Sequence, residues 1–200
     1  QRILKMTGLK KLMVVKEQEK PDGNFPTVKS PNPEDKEGFT LAIELAKKTD
    51  TDLIIGTDPD SDRVGIVVRN REGEYVTFTG NQVGALLTDY ILSQHLEKGT
   101  MPENGVVIKT VVTTEMIRPI AKKYGVDLVE VLTGFKFIGE KIKEYERDNS
   151  HSYIFGFEES YGYLSGTYAR DKDAVVASML IVEMAAYYKK KGMTLFDAME

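Results

Sequence analysis

The chain has 200 residues, with 27 Lys and Arg against 31 Asp and Glu and a formal charge of −4. That length gives one large domain or two small ones with a real core, and 41% hydrophobic with 29% charged residues excludes the collagen-like and disordered classes. The mild acidic excess argues against nucleic acid as a partner. The absence of cysteine excludes disulfides, thiolate zinc and a thiol nucleophile, and no apolar run approaches the ~20 residues of a membrane span.

The chain opens on Gln1, with neither an initiator methionine nor a signal peptide, and stops inside an apolar rhythm over 194–200. Both ends read as a piece cut from a longer chain. Residues 11–16 (KLMVVK) predict a short buried strand, followed by a proline-bearing connection over 17–33. Asn32-Pro33-Glu34-Asp35 predicts a helix start, with Phe39, Ala42, Leu45 and Ala46 at helical spacing. A strand over 52–56 and a hairpin over 64–69 and 74–78 follow. A second unit begins near Gly80-Asn81, with Asn81 capping a helix that carries Val83, Leu86, Leu87, Tyr90 and Ile91. Strands over 106–112, 127–132 and 153–157 then alternate with helices opening at Thr113-Thr114, over 136–146 and over 173–191. The last helix is apolar nearly all round, which predicts extensive burial. Alternation of this kind points to α/β layers with mostly parallel sheets.

The densest chemistry lies in Thr57-Asp58-Pro59-Asp60-Ser61-Asp62-Arg63. Three carboxylates in five residues repel one another, and a divalent cation relieves that. All-oxygen ligands favour Mg²⁺, Mn²⁺ or Ca²⁺ over zinc. An EF-hand loop would need Gly at its sixth position and Glu at its twelfth, where this chain has Arg63 and Arg69. Arg63 beside a cation loop points to an anionic substrate. At the end of another apolar strand, Phe157-Glu158-Glu159-Ser160-Tyr161-Gly162 offers carboxylate and hydroxyl groups suited to paired sugar hydroxyls. Thr133-Gly134-Phe135-Lys136 occupies a strand-to-helix turn where Lys136 can meet a phosphate. Arg170-Asp171-Lys172-Asp173 reads as the cap of the last helix, and His95 and His151 read as solvated or helix-dipole partners.

The ordered set TDPDSDR, TGFK, FEES and RDKD, with FPTVKSPNPE over 25–34, resembles the α-D-phosphohexomutase superfamily and most closely its phosphoglucomutase/phosphopentomutase branch. The resemblance covers essentially the whole chain. It implies two consecutive three-layer α/β/α domains with mixed, mostly parallel sheets: domain II over 1–79 and domain III over 80–200. It also implies partner domains I and IV of the same chain, carrying the phosphoserine and the clamp for the distal phosphate. Asp58, Asp60 and Asp62 then correspond to the Mg²⁺ ligands, Arg63 to the arginine near the transferring phosphoryl group, and Glu158 and Ser160 to the sugar-binding loop. Lys136 matches the lysine of relatives with T-G-W-K, while the His that others carry after T-G is Phe135 here. The implied reaction interconverts sugar 1- and 6-phosphates, or pentose 1- and 5-phosphates, through a sugar 1,6-bisphosphate. The implied setting is cytoplasmic, with a sugar phosphate as substrate and neither nucleic acid nor membrane as partner, and the 200-residue piece alone is expected to be inactive. Each unit is expected to bury its own core. The competing readings are a metal-dependent phosphatase with an aspartate nucleophile, a Ca²⁺-binding module, and a sugar-phosphate-binding protein without catalysis.

Overall fold

A computed structural model describes all residues, Gln1–Glu200. A short helix, α1 (Arg2–Met6), precedes an extended stretch, a 3₁₀ turn at Lys16–Gln18 and a second at Lys36–Phe39. The remaining elements run α2 (Thr40–Thr49), β1 (Leu53–Thr57), β2 (Val64–Arg69), β3 (Tyr75–Thr77), α3 (Gly80–Glu97), β4 (Gly105–Thr110) and α4 (Ile117–Tyr124). They continue with β5 (Asp127–Val131), α5 (Phe135–Asp148), β6 (Ser152–Glu158), β7 (Gly162–Ser165), α6 (Ala174–Lys190) and α7 (Leu195–Met199).

The α/β class with mixed sheets holds, and the parallel pairing is confined to the second sheet. The first sheet, β1-β2-β3, is antiparallel throughout. The second has the order β5-β4-β6-β7, with β4 parallel to β5 and β6, and β7 antiparallel to β6. The strand expected over 11–16 does not form. Leu12, Val14 and Val15 are only half-buried there, and the segment joins neither sheet. The helix start expected at Asn32 shifts downstream. Asn32 closes an Asx turn onto the Glu34 N–H, and Asp35 accepts from the Glu37 N–H to cap the 3₁₀ turn that feeds α2. Likewise Thr79, not Asn81, caps α3. It forms a reciprocal capping box with Gln82, a pairing of the kind worth about 1 kcal/mol. The Asn81 carboxamide oxygen accepts from the Thr114 N–H instead.

Each sheet is covered on both faces. Phe39 and Ala46 pack under Ile54 and Val67 on one side of the first sheet. Ile138 and Ile142 of α5 pack on Val106 and Ile108 of the second. Each unit buries a cluster of its own, as expected, but the largest core is shared between them. Val64, Ile66 and Val68 of β2 belong to one 23-residue cluster with Leu86, Leu87 and Leu92 of α3, Ile181 and Met184 of α6, and Leu195 of α7. The inward face of the first sheet is thus covered by helices of the second unit. Close approach within this cluster requires glycine at two helix positions. A Cβ on Gly84 would stand 2.0 Å from the Phe157 ring, and one on Gly80 would stand 2.0 Å from the Glu159 carbonyl oxygen. No helix is long and apolar enough to cross a membrane.

Candidate active site

The aspartate loop is the connection of the β1–β2 hairpin, closed where Thr57 faces Val64. Its first carboxylate builds the turn. Asp58 is 3% exposed, its Oδ1 accepts from the Asp62 and Arg63 N–H groups at 3.1 and 3.0 Å, and its Oδ2 accepts from Arg63 Nε at 2.9 Å. Ser61 takes up the left-handed backbone that the tight turn requires, with φ of 60°. Asp60 projects into solvent and Asp62 is half-buried. Carboxylate oxygens of the three lie within 4.8 Å of one another. Opposite ligands of Mg²⁺, at about 2.1 Å each, stand about 4.2 Å apart, close to the spacing of these three carboxylates. The residues suit a hard divalent cation.

The charges around this loop are unequally shared. Burial works to raise the Asp58 carboxyl, but the Arg63 N–H and guanidinium outweigh it and hold the group below the ordinary carboxylate value. Burial and the neighbouring Asp58 push Asp62 the other way, against the pull of Lys172. The Arg63 guanidinium also lies 3.6 Å from a Glu34 oxygen, which brings the PNPE stretch to the loop.

The structure adds a residue that sequence reasoning missed. Lys172 Nζ lies 3.0 Å from Asp62 Oδ2 and 3.0 Å from Asp171 Oδ1, above the Phe135 ring at 5.6 Å. Its stem fills the space over Gly162, where a Cβ would meet Lys172 Cδ at 2.0 Å. RDKD reads in sequence as a helix cap, and Asp173 does cap α6 by accepting from the Val175 and Val176 N–H groups. The lysine one residue earlier was hidden by that explanation. Lys136 stands apart. It is exposed, and its ammonium group lies over the Phe137 ring at 5.0 Å without an ion pair.

The glutamate loop joins β6 to β7 at the carboxyl end of β6. Glu158 is 6% exposed, and its Oε1 accepts from the Gly134 N–H at 2.9 Å, which ties it to the TGFK turn. Ser160 is half-buried, and Tyr161 holds a left-handed backbone with φ of 68°. This loop and the aspartate loop are bonded directly. The Val64 N–H donates to Tyr161 O at 3.0 Å, the Ala174 N–H donates to Ser61 O at 3.0 Å, and Arg63 bridges Gly162. Asp58, Asp62, Arg63 and Lys172 thus sit against the loop that carries Glu158 and Ser160. The histidines lie elsewhere, His95 on Thr100 and His151 on Asp127.

Burial raises the Glu158 carboxyl above its ordinary value, more than the Gly134 N–H lowers it. A carboxyl raised in the folded state favours the protonated protein, so its ionisation removes stability as pH climbs from the unfolded value through the folded one. Glu158→Gln is therefore expected to be more thermostable than the wild type at about pH 7, with the difference closing towards about pH 4. Thermal unfolding at both pH values checks this, and a Gln variant less stable at neutral pH would contradict it.

Residues 79–200 match the family model described as phosphoglucomutase/phosphomannomutase alpha/beta/alpha domain III, and residues 1–73 match the model for domain II. The chain belongs to the phosphoglucomutase/phosphomannomutase family. It is 42% identical over 198 residues to a phosphoglucomutase of Staphylococcus aureus, covering 99% of this chain and 35% of that one. The chain thus spans about a third of the length of the curated relatives it matches. Its fold is similar to a phosphoglucomutase/phosphomannomutase family protein from Burkholderia thailandensis, with a TM-score of 0.65, 22% identity, and coverage of 83% of this chain and 32% of that one. It is also similar in fold to the N-acetylphosphoglucosamine mutase of Aspergillus fumigatus solved with GlcNAc-6P and magnesium. There the TM-score is 0.51 at 17% identity, over 72% of this chain and 31% of that one.

Proposed function

We propose that the chain supplies the metal-binding and sugar-binding domains of a phosphoglucomutase-type enzyme, with a boundary near residue 80. The enzyme would interconvert a sugar 1-phosphate and 6-phosphate, or a pentose 1- and 5-phosphate, in the cytoplasm. A bisphosphorylated sugar would be the intermediate, and a phosphoserine outside these residues the carrier. The observation that carries this reading is the meeting of the two loops, through the Arg63–Gly162 bridge and the hydrogen bond from the Val64 N–H to Tyr161 O, with Lys172 paired to Asp62 beside them. An enzyme that moves a phosphoryl group onto a sugar hydroxyl needs its phosphate charge handled beside the place where the sugar is held.

Asp58, Asp60 and Asp62 would hold Mg²⁺, which supplies charge neutralisation at a phosphoryl oxygen when bound. Arg63, fixed by Asp58, directs its remaining guanidinium N–H groups to the same phosphoryl group. Glu158 and Ser160 accept and donate hydrogen bonds to the sugar hydroxyls, which fixes the ring while either end faces the metal loop. Lys172 donates hydrogen bonds to Asp62 and Asp171 and brings its positive charge beside the phosphate. Lys136, on the exposed start of α5, lies outside this contact and is left with the outer phosphate. The glucose 1,6-bisphosphate complex of the Aspergillus mutase supports a bisphosphate as the shared ligand class.

The test is formation of glucose 6-phosphate from glucose 1-phosphate, with catalytic glucose 1,6-bisphosphate and Mg²⁺. The full-length protein that carries these residues is expected to turn over at around 1–10³ s⁻¹, and the 200-residue chain not at all. Stoichiometric release of inorganic phosphate through an aspartyl-phosphate would establish the phosphatase reading instead. Tight binding without turnover in the full-length protein would establish the non-catalytic one.

A further inference from the structure

Next to Glu158 lies a buried polar network that the proposed chemistry does not use. Lys109, at the end of β4, is fully buried. Its ammonium group donates to Glu130 Oε1 at 2.6 Å, Glu115 Oε1 at 3.0 Å and the Thr113 carbonyl at 3.1 Å. A buried cation is tolerated only when so satisfied, and its partners here fix the turn that follows β4. The Thr113 N–H closes that turn onto Thr110 O at 3.0 Å, and the Asn81 side chain holds the next amide. The result is a rigid pair of inward hydroxyls. Thr110 and Thr113 Oγ1 stand 2.6 Å apart, and Glu159 Oε2 lies 3.1 and 3.2 Å from them. With one proton each, one hydroxyl donates to the carboxylate and the other donates to its neighbour or to the same oxygen.

The two adjacent acids of the loop are therefore tied to different turns. Glu158 is held by the turn after β5, and Glu159 by the turn after β4. The Glu159 backbone is also fixed from below, because Gly80 leaves no room between α3 and its carbonyl. From these contacts we infer that Glu159 is a positioning residue for the sugar-binding loop, holding Ser160 and Glu158 in place through the Thr110–Thr113 hydroxyl pair without touching substrate. The inference rests on residues 158–160 being that loop. Its physical content is preorganisation. A loop that must be ordered on binding loses that ordering cost from its affinity, and a loop clamped beforehand does not. Gln at position 159 keeps an oxygen to accept the hydroxyls, whereas Ala keeps none.

The experiment uses the full-length protein with Glu159→Ala, Glu159→Gln, Thr113→Val and the Glu159→Ala/Thr113→Val pair. It measures KM and kcat for glucose 1-phosphate, the Mg²⁺ requirement, and hydrogen exchange at the amides of residues 159–161. Glu159→Ala is expected to raise KM about tenfold, the equivalent of one charge-assisted hydrogen bond, with the Mg²⁺ requirement unchanged and loop exchange accelerated. Gln should restore most of the loss, and the pair should be no worse than Glu159→Ala alone. A variant that only yields less folded enzyme at unchanged KM would overturn the proposal, since that is a purely structural role. So would a Gln variant as poor as Ala, which would make the charge itself a substrate contact. If the wild type shows no turnover, the functional reading fails, and the exchange arm alone decides this one. Accelerated exchange in Glu159→Ala then supports the clamp, and unchanged exchange overturns it.

Discussion

Asp60→Asn in the full-length protein is expected to abolish Mg²⁺-dependent turnover while leaving the fold intact. Asp60 is the clean place to test the metal loop because its side chain projects into solvent and makes no hydrogen bond or ion pair. Asp58 would be a poor choice. It accepts from two backbone N–H groups and from Arg63, so its loss would unmake the turn and release the arginine together. Asn keeps the size of Asp60 and removes one of three negative charges. For a hard cation bound by few protein carboxylates, that charge is a large part of the attraction. Losing a charge-stabilising group of this kind costs about 10²–10³-fold in turnover. The check is a Mg²⁺ titration of activity beside a thermal unfolding curve. Parent-level activity with the same metal dependence would overturn the assignment of the loop.

Lys172→Met is expected to have the second largest effect, with opposite signs on turnover and on metal binding. Methionine keeps an apolar stem over Phe135 and Gly162 and removes only the ammonium group. Burial lowers the Lys172 ammonium, but the carboxylates of Asp171 and Asp62 outweigh it, so the net shift is upward. Lys172 is thus a protonated donor at neutral pH. Without it the cleft loses a positive charge where phosphate would sit, and turnover should fall by about 10²-fold or more. The same change frees Asp62 from its ion pair, so Mg²⁺ should bind as tightly as before or tighter. Calorimetric titration of Mg²⁺ with steady-state kinetics separates the two. Weaker Mg²⁺ binding at unchanged turnover would show that the lysine serves only the shape of the aspartate loop.

The aspartate loop was legible because its chemistry is local. Three acids and an arginine within six residues have the same charge problem in any fold. Its setting was not legible. Nothing in residues 52–56 or 64–69 says that the two strands pair with each other, because pairing is decided by the whole sheet. The apolar run at 11–16 has the composition of a strand for the converse reason, yet it joins neither sheet. β7, only four residues long, carries little strand signal of its own, because its strand character comes from outside. Tyr163 lies against Phe155 and Phe157 with ring centroids 6.5 and 6.1 Å away, and β7 pairs along β6. Lys109 reads in sequence as one charge inside an apolar strand. Its partners Glu115 and Glu130 arrive from a turn and from a neighbouring strand, where spacing along the chain carries no signal.

The seam between the two family domains is hydrocarbon rather than water. Val64, Ile66 and Val68 lie in the same cluster as the helices of the larger domain, and Arg71 reaches Asp197 of α7 at 2.6 Å across the join. A hinge needs a surface that can be wetted and dried again at little cost, and this one would expose aliphatic side chains each time it opened. The family boundary is therefore not expected to act as a hinge. We expect the two matched segments to move as one body, keeping the aspartate loop against the glutamate loop.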